Sequence, residues 1–427
     1  MPETKGKRRK SIRDFLTYVG PSLMVSIAYM DPGNYGTDLQ AGAGFKFELV
    51  WAVWLASGMA MILQYLSGKL GIASGYSLPE LVRRSLGRRA YVIPYWISAE
   101  LAAAATDLAE YLGTVIALNL LFGVPMLYAA IFGAFDVLLI MALMTRKFRL
   151  IEQFFLTLTS VLVAGFLWQL VIVKPDLGQV AYHSIVPLAQ SSDAFLLVVG
   201  IIGATVMPHA LFVHSWLSKN KMDLRGRETK EARDRYDSSN ASIQVKQATR
   251  RVHLWETALF LTIAAIVNVG ILLVATPLYP NAGLTIGQSV GLLSKIFAPI
   301  VGIVFVLTLL ASGLLSSTLG TFAGQVIMEG LIGKRWNIWA RRIVTRVVNV
   351  FPTTVAILIG LDPLKLLVYS QVILSLLIPL PMIPLLYYTS KKKFMGELVN
   401  RKITITLALV SAAMILAFNA YLILTSI

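Results

Sequence analysis

The chain has 427 residues, 56% of them hydrophobic and only 14% charged, and it contains no cysteine. Soluble domains carry about a quarter charged residues, so this balance points to a bilayer protein and excludes most soluble enzyme classes. The net charge of +16 then argues for Lys and Arg in cytoplasmic loops rather than for a nucleic-acid partner, and the missing cysteines exclude a disulfide framework, a thiolate zinc site and thiol catalysis.

A basic tail over residues 1–13 leads straight into the first apolar window, 15–30, with no small-residue cleavage site, so the first helix is expected to be retained. Charge-free windows follow at 49–68, 111–135, 153–173, 194–218, 257–294, 296–328, 347–361, 366–390 and 403–427. Segment 92–118 is apolar except for Glu100, Asp107 and Glu110. Most windows reach the roughly 20 residues that a helix needs to cross a bilayer, and the Pro- and Gly-containing stretch 277–291 parts the long apolar run into two. The prediction is an all-α integral membrane protein of eleven transmembrane helices, with a core over 14–402 and a last helix over 403–427. With the N-terminus inside, 33 of the 38 Lys and Arg sort to the inner side, which places the N-terminus in the cytoplasm and the C-terminus outside. The polar loop 219–251 reads as a solvated cytoplasmic connector whose basic surface faces anionic lipid.

Two helices carry interruptions. The first contains Ala28-Tyr29-Met30-Asp31-Pro32-Gly33-Asn34-Tyr35-Gly36. Pro removes a backbone donor and Gly weakens a helix, so this segment should unwind and expose carbonyls, which a membrane protein tolerates only around a cavity. The sixth helix contains Gly203-Ala204-Thr205-Val206-Met207-Pro208-His209. Five helices separate the two breaks, an odd number, so the second five-helix unit is inverted relative to the first. Paired broken helices in inverted repeats (helices 1–5 and 6–10) point to a midplane binding site in secondary transporters. A carboxylate at the bilayer centre costs about 2.5–3.5 kcal/mol even on the insertion scale, so Asp31 is expected to meet a cation or a polar partner; capping the half-helix that follows it is the structural alternative. Asp31, Asn34, Met207 and freed carbonyls combine hard oxygen with a thioether, a set that suits softer divalent metals over Mg²⁺ and Ca²⁺.

At these residues the chain resembles the Nramp family of divalent metal-ion transporters, which have LeuT-like architecture. Asp-Pro-Gly-Asn at 31–34 and Ala-Thr-Val-Met-Pro-His at 204–209 look like the family's two signature motifs. The likeness extends to Gln64-Tyr65-Leu66-Ser67, Thr106-Asp107-Leu108-Ala109-Glu110, Gly320-Thr321 to Glu329-Gly330, and Ser370-Gln371. The resemblance implies a transported metal held by Asp31, Asn34 and Met207, with backbone carbonyls of Ala28 in one state and Ala204 in another, and Gln371 joining in occluded states. It implies Mn²⁺ or Fe²⁺ as substrate, since Mg²⁺-carrying relatives lack the methionine, and no resident cofactor.

Glu100, Asp107 and Glu110 lie within about 60° of one helix face at 100° per residue, and Arg342 and Arg346, four apart, could pair with them. The alternatives are a structural ion-pair set and the proton route that relatives build from the matching residues. His209 titrates near neutral pH and is a candidate proton acceptor, as is Asp31. His214, five residues on, does not form an i, i+4 zinc pair with His209 and could equally be a satisfied packing histidine, and the glycine pairs Gly71/Gly75 and Gly320/Gly324 read as close helix packing. Leu314, Leu377 and Ala210 replace residues that are polar in the family, which leaves coupling less determined than metal binding. The expected function is proton-coupled import of a divalent metal ion across the plasma membrane, by a chain functional as a monomer in the lipid bilayer. The competing readings are a relative with altered selectivity or no coupling, and a cation-driven symporter of an organic solute; no enzyme motif is present.

Overall fold

The computed structural model describes residues 25–26, 28–135, 148–227, 242–334 and 337–426. Among them the regular elements are all helices: α1 Pro32–Phe45, α2 Val50–Ser74, α3 Leu78–Leu86, α4 Arg89–Phe122, α5 Met126–Gly133, α6 Phe148–Val173, α7 Leu177–Ile185 and α8 Ser192–Val206. They continue as α9 Pro208–Arg227, α10 Ile243–Ala275, α11 Ile286–Ile296, α12 Pro299–Ile332, α13 Ile338–Leu358, α14 Pro363–Leu377, α15 Pro379–Thr389 and α16 Lys402–Ser426. The boundaries follow local chemistry. Pro opens α1, α9, α12, α14 and α15, where its missing N–H costs nothing, and left-handed Gly75, Gly123 and Gly333 close α2, α4 and α12.

Seven helical stretches among the described residues are long and apolar enough to cross a bilayer, and Thr157–Val173 with Leu177–Ile185 forms a further pair bent by 116°. The expected count of eleven is therefore not reproduced residue for residue. The windows 92–118 and 111–135 overlap on one helix, α4, which runs unbroken to Phe122 before α5 begins at Met126. Much of the first window lies outside the described residues. The connector 219–251 is also shorter than expected, because α9 continues to Arg227 and α10 starts at Ile243. The separation of the long apolar run is as read: α10 ends at Ala275 and α12 begins at Pro299, with α11 between them.

In the packing, α2 lies against α8, α9 and α10, while α1 lies against α8, α10 and α14. A second layer pairs α4 with α12, flanked by α6 and α13. Apolar burial alone does not bring helices together in lipid, so close backbone approach matters. A side chain at Gly71 would strike the Ser215 carbonyl of α9, and one at Gly42 the Leu272 carbonyl of α10. Gly71 thus packs as expected, whereas Gly75 is a helix cap. Gly320 and Gly324 are not simple packing either: a Cβ there would meet the Glu110 carboxylate at 2.6 Å and the Arg341 guanidinium at 2.6 Å. These two glycines of α12 clear space for charged side chains of α4 and α13.

Candidate metal-ion site

Both interruptions exist and they touch. Helical backbone stops after Ala28, Tyr29 to Asp31 form a turn, and α1 starts at Pro32. The second break is narrower than the motif suggested, since α8 continues through Val206 and only Met207 is out of the helix, at φ +42°. Across this junction the Asn34 side chain reaches the other broken helix: Nδ2 lies 3.4 Å from the Ala204 carbonyl, and Thr205 donates to Oδ1 at 3.1 Å.

Asp31 does two things. Its Oδ1 caps α1 by accepting the Asn34 N–H at 3.0 Å, and its Oδ2 has no hydrogen-bond partner among the described residues, although Asp31 is only 1% exposed. The capping alternative is therefore real but accounts for one oxygen. Asn34 Nδ2 stands where acceptors converge, 2.7 Å from Asp31 Oδ1, 3.1 Å from the Tyr29 carbonyl and 3.4 Å from that of Ala204. An amide nitrogen ringed by oxygens marks a place where positive charge is favoured; turning the amide over presents Oδ1 instead and completes an all-acceptor face. Met207 is 1% exposed at the break itself, and Ala28, also 1% exposed, ends the helix before the turn.

Gln371 of α14 belongs to the same place. Its Nε2 donates to Ser370 Oγ at 2.9 Å, while its Oε1 is buried with no partner among the described residues. Gly33 explains how the amide gets so close: a Cβ there would overlap the Gln371 amide and come within 2.8 Å of Asp31 Oδ2. Similarly, a Cβ at Gly203 would overlap the Gln371 carbonyl, so α8 and α14 meet backbone to backbone at the break.

The expected proton residues divide. His209, fully buried, has Nδ1 3.0 Å from Thr106 Oγ1, which itself donates to the Ala102 carbonyl. With that hydroxyl committed, Nδ1 carries the hydrogen and Nε2, unpartnered among the described residues, is the free acceptor. Asp107 and Glu110 are buried in α4, and Glu110 faces Gly320. Glu100 accepts from Trp96 Nε1 at 2.8 Å and forms an ion pair with Arg341 Nη2. An arginine that pairs with this stripe is Arg341; the side chains of the expected Arg342 and Arg346 lie outside the described residues. Arg341 was not singled out from the sequence, because no signal in one helix fixes its rotation against another. His214 is 2.9 Å from Gln64 Oε1 and edge-on to His253, whose ring stacks on Tyr65; His214 and His253 are cross-helix packing polars.

Sequence reasoning missed Asn268 and Asp38. Asn268 of α10 donates to the Tyr29 carbonyl at 2.9 Å, the same oxygen that Asn34 grips, and so pins the unwound segment. Asp38 is fully buried two turns beyond Asp31, with neither carboxylate oxygen hydrogen-bonded among the described residues. It fell just past the first apolar window; its offset of seven from Asp31 was the available signal.

The model of the family described as natural resistance-associated macrophage protein-like, Nramp, matches residues 22–425. The chain belongs to the Nramp family. Among Nramp relatives, it is 36% identical to the divalent metal cation transporter MntH of Caldanaerobacter subterraneus, over 98% of this chain and 97% of the relative. It is 37% identical to MntH of Deinococcus radiodurans, over 97% and 91%. The solved manganese transporter of Eremococcus coleocola, bound to an aromatic bis-isothiourea compound, superposes with a TM-score of 0.83 at 30% identity, covering 95% of this chain and 86% of that one. The amino-acid-bound transporter MhsT, at 14% identity and a TM-score of 0.59, shares the fold alone. The architecture is therefore that of an Nramp protein with a LeuT-like fold, integral to a membrane.

Proposed function

We propose that this chain is a secondary transporter that imports Mn²⁺ or Fe²⁺ together with protons, by alternating access about the two broken helices. The observation that carries the reading is the buried meeting of Asp31, Asn34 and the Ala204 carbonyl beside Met207, an acceptor set with one thioether and one uncapped carboxylate oxygen. The relatives, which are divalent metal cation transporters, support it. Asp31, Asn34 and Met207 hold the metal, Ala28 and Ala204 lend carbonyls, and Gln371 closes over the ion. Asp31, His209, Asp107, Glu110 and the Glu100–Arg341 pair serve the protons. The distribution of Lys and Arg sets the N-terminus in the cytoplasm and the C-terminus outside, in the plasma membrane, and one chain holds every proposed ligand, so a monomer suffices.

Uptake of Mn²⁺, Mg²⁺ and Ca²⁺ into liposomes holding the purified chain, with internal pH followed, tests substrate and coupling together. Mn²⁺ should enter and acidify the lumen, and Asp31→Asn should abolish both. A parent protein that moves no Mn²⁺ sinks the reading, while Mn²⁺ entry without acidification keeps the metal and removes the proton.

A further inference from the structure

Away from the metal site, Lys69 of α2 is a buried cation, 2% exposed, whose Nζ donates to Asn400 Oδ1 at 2.7 Å and stands 5.8 Å from the Tyr65 ring centroid. The charges of Arg250, on α10, and Arg401, just before α16, bear on it, and no carboxylate among the described residues does. Arg250 also lies beside Tyr65. Among the described residues, the ion pairs Lys219–Glu80 and Arg341–Glu100 involve none of these three cations. A second observation points the same way: Asn400 Nδ2 is buried with no acceptor among the described residues, although its oxygen is engaged. Among the described residues, three positive charges and a spare amide donor converge with no ion-pair partner. Burying an ammonium without counter-charge is costly, and like charges add repulsion, so the arrangement calls for an anion. Arg401 is exposed and Arg250 half-buried, which opens the cluster to the surface.

We propose that Lys69, Arg250, Arg401 and the Asn400 amide form a binding site for a phosphate-type anion that ties α2 and α10 to the segment leading into α16. Two guanidinium groups supply planar two-point recognition of phosphate oxygens and the lysine a point charge. The cluster lies among the basic residues that mark the inner face, where anionic phospholipid headgroups are the concentrated source of such a group; free phosphate is the other source. The anion neutralises Lys69 and clamps two helices of the core to the last one.

Thermal melting of the full chain in neutral detergent tests this with three additions: short-chain phosphatidylglycerol, short-chain phosphatidylcholine, and inorganic phosphate. Phosphatidylglycerol should raise the melting temperature, phosphatidylcholine should not, and Arg250→Gln/Arg401→Gln should lose the shift. A shift with inorganic phosphate that the same variant loses assigns the site to the soluble anion. Lys69→Met should be insensitive to phosphatidylglycerol; if it fails to fold, the arginine variant, altered at the open side of the cluster, still decides. Equal shifts with both lipids, or a full shift in the arginine variant, overturn the proposal.

Discussion

At Met207 a side chain with a Cβ occupies the left-handed region, φ +42°, at a cost of about 1–2 kcal/mol. That cost is sustained because the residue must leave the helix and present its thioether at once. Elsewhere in a helix, Gly is about 1 kcal/mol worse than Ala; here Met207→Gly should melt no lower than Met207→Ala, and a clearly lower melting point for the glycine variant would refute the strain. Met207→Ala should spare Mn²⁺ uptake more than it spares discrimination against Ca²⁺ and Mg²⁺, because sulfur contributes mainly selectivity. If that variant rejects Ca²⁺ as well as the parent, the role given to the thioether is wrong. Asn268 acts one step further out: Asn268→Ala strips a donor from the Tyr29 carbonyl, leaving that carbonyl one bond poorer at about 1–3 kcal/mol. Mn²⁺ affinity measured by calorimetry should weaken accordingly, and unchanged affinity would show that Asn34 alone holds the strand.

At the scale of elements, α4, α12 and α13 form a charged seam that small residues permit. Gly320→Ala places a methyl against the Glu110 carboxylate, and overpacking of this kind costs about 1–3 kcal/mol. Because the clash is with one side chain, Glu110→Ala should recover most of that loss, and a double-mutant cycle read by thermal melting measures the coupling. Additive effects would mean that the glycine serves backbone packing after all. Glu80 joins elements differently: its Oε2 accepts the Ser77 N–H at 2.7 Å to box the start of α3, while Oε1 meets Lys219 of α9 at 2.8 Å.

For the whole molecule, the ties at the end of α2 that leads into α3 lie between parts that would separate if the transport path opened there. Besides Glu80 and Lys219, the Leu78 N–H reaches Ser215 Oγ at 2.9 Å and Lys246 reaches the Ala73 carbonyl at 3.0 Å. The half-buried ion pair is the tie most easily cut without collapse. Glu80→Gln should favour the state open at this end, and since the chain has no cysteine, a single Ser26→Cys reports it cleanly. A membrane-impermeant thiol reagent applied from that side should label Ser26→Cys faster in the Glu80→Gln background. Equal labelling rates would remove the pair from any closing role.

By itself the sequence determined that the chain is helical and membrane-embedded, where its two helices break, and that Asp31, Asn34 and Met207 are the residues to watch; Gln371 came only from the family resemblance. Those features are local: apolar length, Pro and Gly within a span, and an acid where lipid should be. Only the tertiary structure decided which residues support them. Asn268 lies 239 positions from the carbonyl it holds, and nothing near it in the chain marks it. Arg341 meets Glu100 because the rotation of α13 is set by packing against α4 and α12, not by its own periodicity. Gly320 and Gly324 looked like ordinary small-residue spacing until the charged groups opposite them were in place. Composition fixes the solvent and backbone chemistry fixes the breaks, but the pairing of polar groups across helices depends on contacts far apart in the chain, which no single segment encodes.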